Sequence, residues 1–221
     1  SPVEPLQESR YMSHDYEIID RAVVHDGFFR VSRFTLRHAL FAGGHGPVLT
    51  RERLERGNAV GVLPYDPWRD RVVLVEQFRV GALDTGFGPW VLETVAGIIE
   101  PGETPDAVAR RETREEADCT LGELCPIAHY LVSPGGTSQT VKLYCAPVDS
   151  RDLRRDGHGQ VDEGEDIRVH VVPADEAIAM LDSGAVTAAM PIIALQWLAR
   201  HRDALRDRWR ASPQAPYNAP G

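Results

Sequence analysis

Positive charge is what this 221-residue sequence is short of: 24 Lys and Arg stand against 33 Asp and Glu, a net of −9. That balance argues against general nucleic-acid binding and against docking on an anionic membrane surface. Long apolar runs are missing as well. No stretch reaches the length of a membrane span, and the polar start Ser1–Tyr16 has no apolar segment of the signal-peptide kind. Cysteine is scarce and odd in number, and Cys119, Cys125 and Cys145 have no metal-type spacing. Reduced, buried thiols in a cytoplasmic protein are the expectation. The eight histidines are scattered without paired spacing, which disfavours zinc. The turn Ser133-Pro134-Gly135-Gly136-Thr137-Ser138 lacks the lysine and spacing of a phosphate-binding P-loop, and Asp162–Asp166 lacks the offsets of an EF-hand. A hydrophobic content of 43% is ordinary for a globular protein able to bury a substantial core.

What is present is concentrated between Gly97 and Cys119. Gly97 and Gly102 punctuate a tight loop. Thr104 is placed to cap a helix, Pro105 suits its first turn, and Asp106 suits its positive end. Nothing breaks that helix from Pro105 to about Ala117, where Asp118 tolerates a left-handed stop. Glu112, Glu115 and Glu116 fall on neighbouring rows of one helix, and four-apart glutamates repel. Taken alone, a Glu/Arg-rich helix is a solvated, salt-bridged surface, with Arg111 four residues before Glu115. A carboxylate cluster is also what a divalent cation needs.

Around this helix the chain reads as strands. Residues 1–15 are expected to be a loose arm and 211–221 a mobile tail. Tyr16–Val24, Phe28–Leu40 and Pro47–Arg53 form a small β domain (16–56) too poor in core to stand alone. A second unit, 57–210, follows with strands at Asn58–Leu63, Arg71–Phe78, Trp90–Ala96, Ile127–Val132, Thr140–Ala146 and Ile167–Val172. Val72-Val73-Leu74-Val75 reads as buried on both faces. Helices are expected at Ala174–Ser183, stopped by Gly184, and at Pro191–Trp209. The latter should bury Ala194, Leu198, His201 and Leu205 and turn a solvated arginine row outward. Asp149–Asp166 is an acidic loop long enough to be functional or disordered. Arg79, at a strand end, suits either a surface acid or a phosphate.

The spacing of Gly97, Glu103, Arg111-Glu112 and Glu115-Glu116 resembles the Nudix box: Gly, five residues, Glu, seven residues, Arg-Glu, an aliphatic, any residue, Glu-Glu, any residue, Gly, an aliphatic. Thr113, Asp118 and Cys119 depart from it without removing a carboxylate. Further segments are similar to the ADP-ribose pyrophosphatase branch of that family: Glu76-Gln-Phe-Arg79, Glu93–Glu100, Ser133–Ser138 with Pro134, Asp162–His170, and Ile193–Leu198.

The resemblance implies an α+β fold, a mixed sheet sandwiched between helices and preceded by a small antiparallel β domain exchanged across a homodimer. It implies hydrolysis of the diphosphate of ADP-ribose to AMP and ribose 5-phosphate, dependent on Mg²⁺ with Mn²⁺ as a substitute. The Ala96 carbonyl, Glu112, Glu116 and Glu165 would hold the metal. Glu163 would activate water, with Arg111 and Glu115 completing the catalytic set. Phe28, Arg51, Arg79, Ser133, Gly135 and Gln139 would contact substrate, Gln139 standing where some relatives carry a glutamate. The rival readings are another sugar nucleotide such as GDP-mannose, a non-catalytic ADP-ribose sensor, and a purely structural acidic domain.

Overall fold

A computed structural model of the chain describes residues 15–151, 153, 158–159 and 164–211. The expected arm and tail lie outside these bounds, apart from Asp15 and Ala211. The chain divides into two units, one comprising residues up to Arg56 together with Val132–Gln139, the other Gly57–Leu131 and Thr140 onward.

The first unit is an antiparallel sheet of β1 (Tyr16–Asp26), β2 (Arg30–His38) and β3 (Leu49–Glu55), with β2 in the middle. The expected second strand is trimmed at both ends. Gly27 N–H donates to the Phe29 carbonyl, which puts Phe28 and Phe29 in the turn, and Leu40 N–H turns to Gly44. Among the described residues up to Arg56 only Ser32 and Phe34 are buried. The Arg21 and Arg53 guanidinium groups lie over the Phe34 ring, 5.1 and 4.6 Å from its centre. Register partners Glu17 and Arg37, and Arg33 and Glu52, form cross-strand ion pairs. The tip of the hairpin between Leu131 and Thr140 groups with this unit, where Leu54 N–H donates to the Gly136 carbonyl at 2.8 Å.

The second unit holds a seven-stranded mixed sheet. Its strands are β4 (Ala59–Asp66), β5 (Arg71–Phe78), β6 (Trp90–Glu93), β7 (Val95–Ile98), β8 (Cys125–Leu131), β9 (Thr140–Pro147) and β10 (Arg168–Pro173). The order is β10-β5-β4-β9-β8, with β6 on β5 and β7 on β4; only β4 and β9 pair in parallel. Every residue of β4 is buried, as a strand covered on both faces must be. Side chains alternate between two apolar layers. Leu63, Tyr65, Val72 and Leu74 pack with α2 (Ala174–Ser183) and α3 (Ala189–Ala211), while Val60, Val62, Val73 and Val75 pack with α1 (Pro105–Ala117).

Three expectations are corrected here. Trp90–Ala96 is not one strand: at Thr94, which is buried, the chain leaves β5 and joins β4. His201 is exposed on α3, stacked on Trp197 with ring centres 4.4 Å apart, and Trp209 joins the buried face instead. Nor is the arginine row of α3 simply solvated. Arg202 pairs with Asp70 and Asp175, Arg206 with Asp70, and Arg210 donates to the Pro67 and Trp68 carbonyls.

The acidic segment is moored at its start. Asp66, fully buried, accepts from the Ser150 N–H and hydroxyl and from Arg69, and Arg69 also reaches Asp149. Burial alone would raise the Asp66 pKa, but these donors hold it below the ordinary carboxyl value.

Candidate active site

Helix α1 begins where its residues require it to. Thr104 Oγ1 accepts from the Ala107 N–H at 3.2 Å, with Pro105 in the first turn, and Asp118 closes the helix in the left-handed region at φ 51°. Thr113 occupies a buried aliphatic position of the pattern because its hydroxyl donates back to the Ala109 carbonyl at 2.7 Å, leaving no unpaired polar atom.

Glu116 is buried and Glu112 nearly so. Glu116 Oε2 accepts from the Ala96 N–H at 3.2 Å, which ties the helix to β7. Next to Ala96, a β-carbon on Gly97 would stand 2.1 Å from Glu112 Oε1. Only glycine lets this carboxylate lie against the strand. Arg111 is the local counter-charge. It donates to Glu112 at 2.8 Å and to Glu115 at 3.3 Å, and approaches Glu103 at 3.4 Å; Glu103 itself accepts from the Glu100 N–H. On the strand side, Arg79 donates to Glu93 at 2.8 Å.

The electrostatic consequence is a pair of reluctant anions. Burial raises the Glu112 pKa to about 6, with Arg111 opposing and Glu115 and Glu165 adding to the rise. Burial raises Glu116 further, to about 8; Glu112 and Glu165 push it up, while the Ala96 N–H and Arg79 pull it down. Among the described residues no three His, Cys, Asp or Glu side chains already form a coordination cluster. Arg111 instead engages Glu112, and a backbone N–H engages Glu116. Yet the donors fit a hard divalent cation: carboxylate oxygens held in a glycine cradle, lacking enough positive charge of their own.

The structure therefore brings Arg111, Glu112, Glu115, Glu116 and Ala96 together, and the charge of Glu165 acts on both Glu112 and Glu116. Glu163 lies outside the described residues. Phe28, Arg51, Ser133, Gly135 and Gln139 belong to the first unit, Phe28 being 90% exposed, and Arg79 to the second. Asp166, beside Glu165, lines a cleft of about 440 Å³ with Glu76, Trp90 and Arg168. Glu93, as the partner of Arg79, and Gly159, whose N–H meets the Glu115 carbonyl, went unassigned in the sequence. The first was visible only as a strand-end acid, the second only as one more glycine in an acidic loop.

This arrangement of glycine loop, capped helix and paired glutamates is that of one enzyme family, and the match extends over most of the chain. Residues 55–193 match the NUDIX domain, and the chain belongs to the Nudix family. It is 45% identical over 196 residues to the ADP-ribose pyrophosphatase of Escherichia coli (strain K12), covering 89% of this chain and 93% of that protein. It is 38% identical over 205 residues to the ADP-ribose pyrophosphatase of Haemophilus influenzae, covering 91% and 94%. A GDP-mannose pyrophosphatase of Enterobacter is 30% identical over 190 residues, covering 85% and 96%.

Proposed function

We propose that this chain hydrolyses the diphosphate bridge of ADP-ribose to AMP and ribose 5-phosphate, with Mg²⁺ as the working metal and Mn²⁺ as a substitute. The observation that carries the reading is the Glu112–Glu116 pair, the second buried and the first largely so, seated against Ala96 and Gly97. An anionic diphosphate would not approach such a pair without a cation between them. Glu112, Glu116, Glu165 and the Ala96 carbonyl hold the metal. When bound, it neutralises the diphosphate and lowers the pKa of water. Glu163 accepts the proton of the attacking water. Arg111 and Glu115 fix Glu112, and Arg79 exchanges Glu93 for a phosphate oxygen. Phe28, Arg51, Ser133, Gly135 and Gln139 contact the substrate, the phenylalanine from the second copy of a homodimer. Three free cysteines suit a cytoplasmic setting.

Hydrolysis of ADP-ribose in ¹⁸O-water, with mass analysis of both products, tests activity, the bond cleaved and the phosphorus attacked. Absence of AMP at saturating Mg²⁺ would refute the reading. A second substrate, GDP-mannose, is raised by relatives acting on it at 30–32% identity. The same assay on both sugar nucleotides is expected to give the higher kcat/KM with ADP-ribose.

A further inference from the structure

We propose that Gly159 is a positioning residue for this site: it sets where Glu165 stands relative to the carboxylates of α1. The inference rests on the reading above that Glu165 is a metal ligand. Gly159 N–H donates to the Glu115 carbonyl at 3.3 Å, in the last turn of α1 and one residue before Glu116. Its neighbour His158 exchanges two backbone hydrogen bonds with Ile167, N–H to carbonyl at 3.4 Å and the reverse at 3.1 Å. Ile167 is fully buried in the apolar layer beneath α1, and His158 is buried as well. Gly159 is thus stitched to the helix on one side and, through His158, to the entrance of β10 on the other.

Glu165 sits against this stitch. A β-carbon on Gly159 would stand 2.7 Å from Glu165 Cβ and 3.2 Å from both Glu165 Oε2 and Ile167 Cδ1. The backbone there has φ +89°, which side-chain-bearing residues resist. Ile167 is locked in the core and the helix is locked by its cap, so any side chain at 159 must move Glu165. Displacing a ligand through its supporting shell weakens metal binding by about 10–100-fold.

The test compares Gly159→Ala, Gly159→Asn, Glu165→Ala and the double variant Gly159→Ala/Glu165→Ala with wild type. Mn²⁺ binding is measured without substrate by electron paramagnetic resonance of the free ion, alongside metal-free melting temperature. Both glycine variants are expected to lose about 10–100-fold in Mn²⁺ affinity. Asn accepts positive φ better than Ala, so Gly159→Asn should melt closer to wild type while losing as much affinity, which separates the contact from backbone strain and covers poor folding of Gly159→Ala. Once Glu165→Ala has removed the carboxylate, adding Gly159→Ala should cost no further affinity. Unchanged Mn²⁺ affinity in both glycine variants overturns the proposal, as does an equal loss with and without the Glu165 carboxylate. If Glu165→Ala binds Mn²⁺ as tightly as wild type, the ligand role of Glu165 is what fails.

Discussion

The N-terminal sheet and the helix-bearing unit solve the same problem with different means. In the first, β1 has all 11 residues exposed, and Phe34 is the sole buried apolar side chain among its described strands. It is held by ladder hydrogen bonds and by arginine–glutamate pairs at the surface. In the second, two apolar layers clamp β4 along its full length. That second construction holds Glu112 and Glu116 largely out of water, and burial makes each resist ionisation. A site that stores unfavourable charge belongs on the better-packed region, and a surface that recruits a substrate or a second subunit can sit on the thinner one.

This contrast can be broken or sharpened experimentally. The largest effect is expected at the reacting centre: Glu163→Gln should lower kcat by about 10²–10⁴-fold with Mn²⁺ still bound. Glu116→Gln should also abolish tight Mn²⁺ binding, read by titration of the free ion. Next comes the core. Leu143→Ala on β9 or Leu195→Ala on α3, both in the apolar layer between the sheet and the helices α2 and α3, should cost about 2–5 kcal/mol, or about 2–4 °C of melting temperature per kcal/mol. A loss below about 1 kcal/mol would remove the claimed difference between the regions.

An intermediate effect is the pH dependence of the metal-free protein. Glu116 has a folded pKa of about 8 against an ordinary 4.5, so the folded state holds a proton that the unfolded chain releases. Its contribution is whole below 4.5 and is lost as pH rises through 8, so metal-free melting should fall across that window in wild type and much less in Glu116→Gln. Mn²⁺ has to displace the same proton, so its affinity should climb with pH over the same range. The smallest effect belongs to the first unit. Glu52→Gln, which removes the exposed partner of Arg33, should cost about 0–1 kcal/mol and less at high salt. Ile18→Ser on β1 should be within about 0.5 kcal/mol for an isolated chain. If a second copy of the chain covers this strand, as proposed above, its cost will instead appear as a shift in the concentration dependence of mass by light scattering.

Helix α1 was legible to the residue because its signals are local: Thr104, Pro105 and Asp118 each act within one turn. The charge pattern on it was equally legible, since helical spacing alone brings Glu112 and Glu116 together. The break at Thr94 was not, because both halves of Trp90–Ala96 are apolar and the choice of neighbouring strand is made by tertiary pairing. The arginine row on α3 was misread for a similar reason. Asp70 lies far away in sequence, and nothing near Arg202 or Arg206 announces it. His201 fell on the expected apolar stripe, yet its ring stacks on Trp197 at the surface, and the buried face continues through Leu205 to Trp209. Gly159 was invisible because what forbids a side chain there is its positive φ and contact with Glu165 and Ile167, which only the folded loop brings against it. The substrate contacts assigned by resemblance, from Phe28 to Gln139, rest on segments whose composition is that of ordinary turns and strand ends.

The change of neighbour at Thr94 has a further effect. Glu93, which restrains Arg79, hangs from the β5 ladder, while Ala96, which meets Glu116, hangs from β4. On the proposed reading, phosphate contact by Arg79 and metal retention at Glu116 would therefore hang from separate strands joined by a single buried threonine. Substitutions along Trp90–Glu93 would then shift the Arg79 guanidinium while leaving the Ala96–Glu116 contact in place, giving the two halves of the proposed site independent routes to vary.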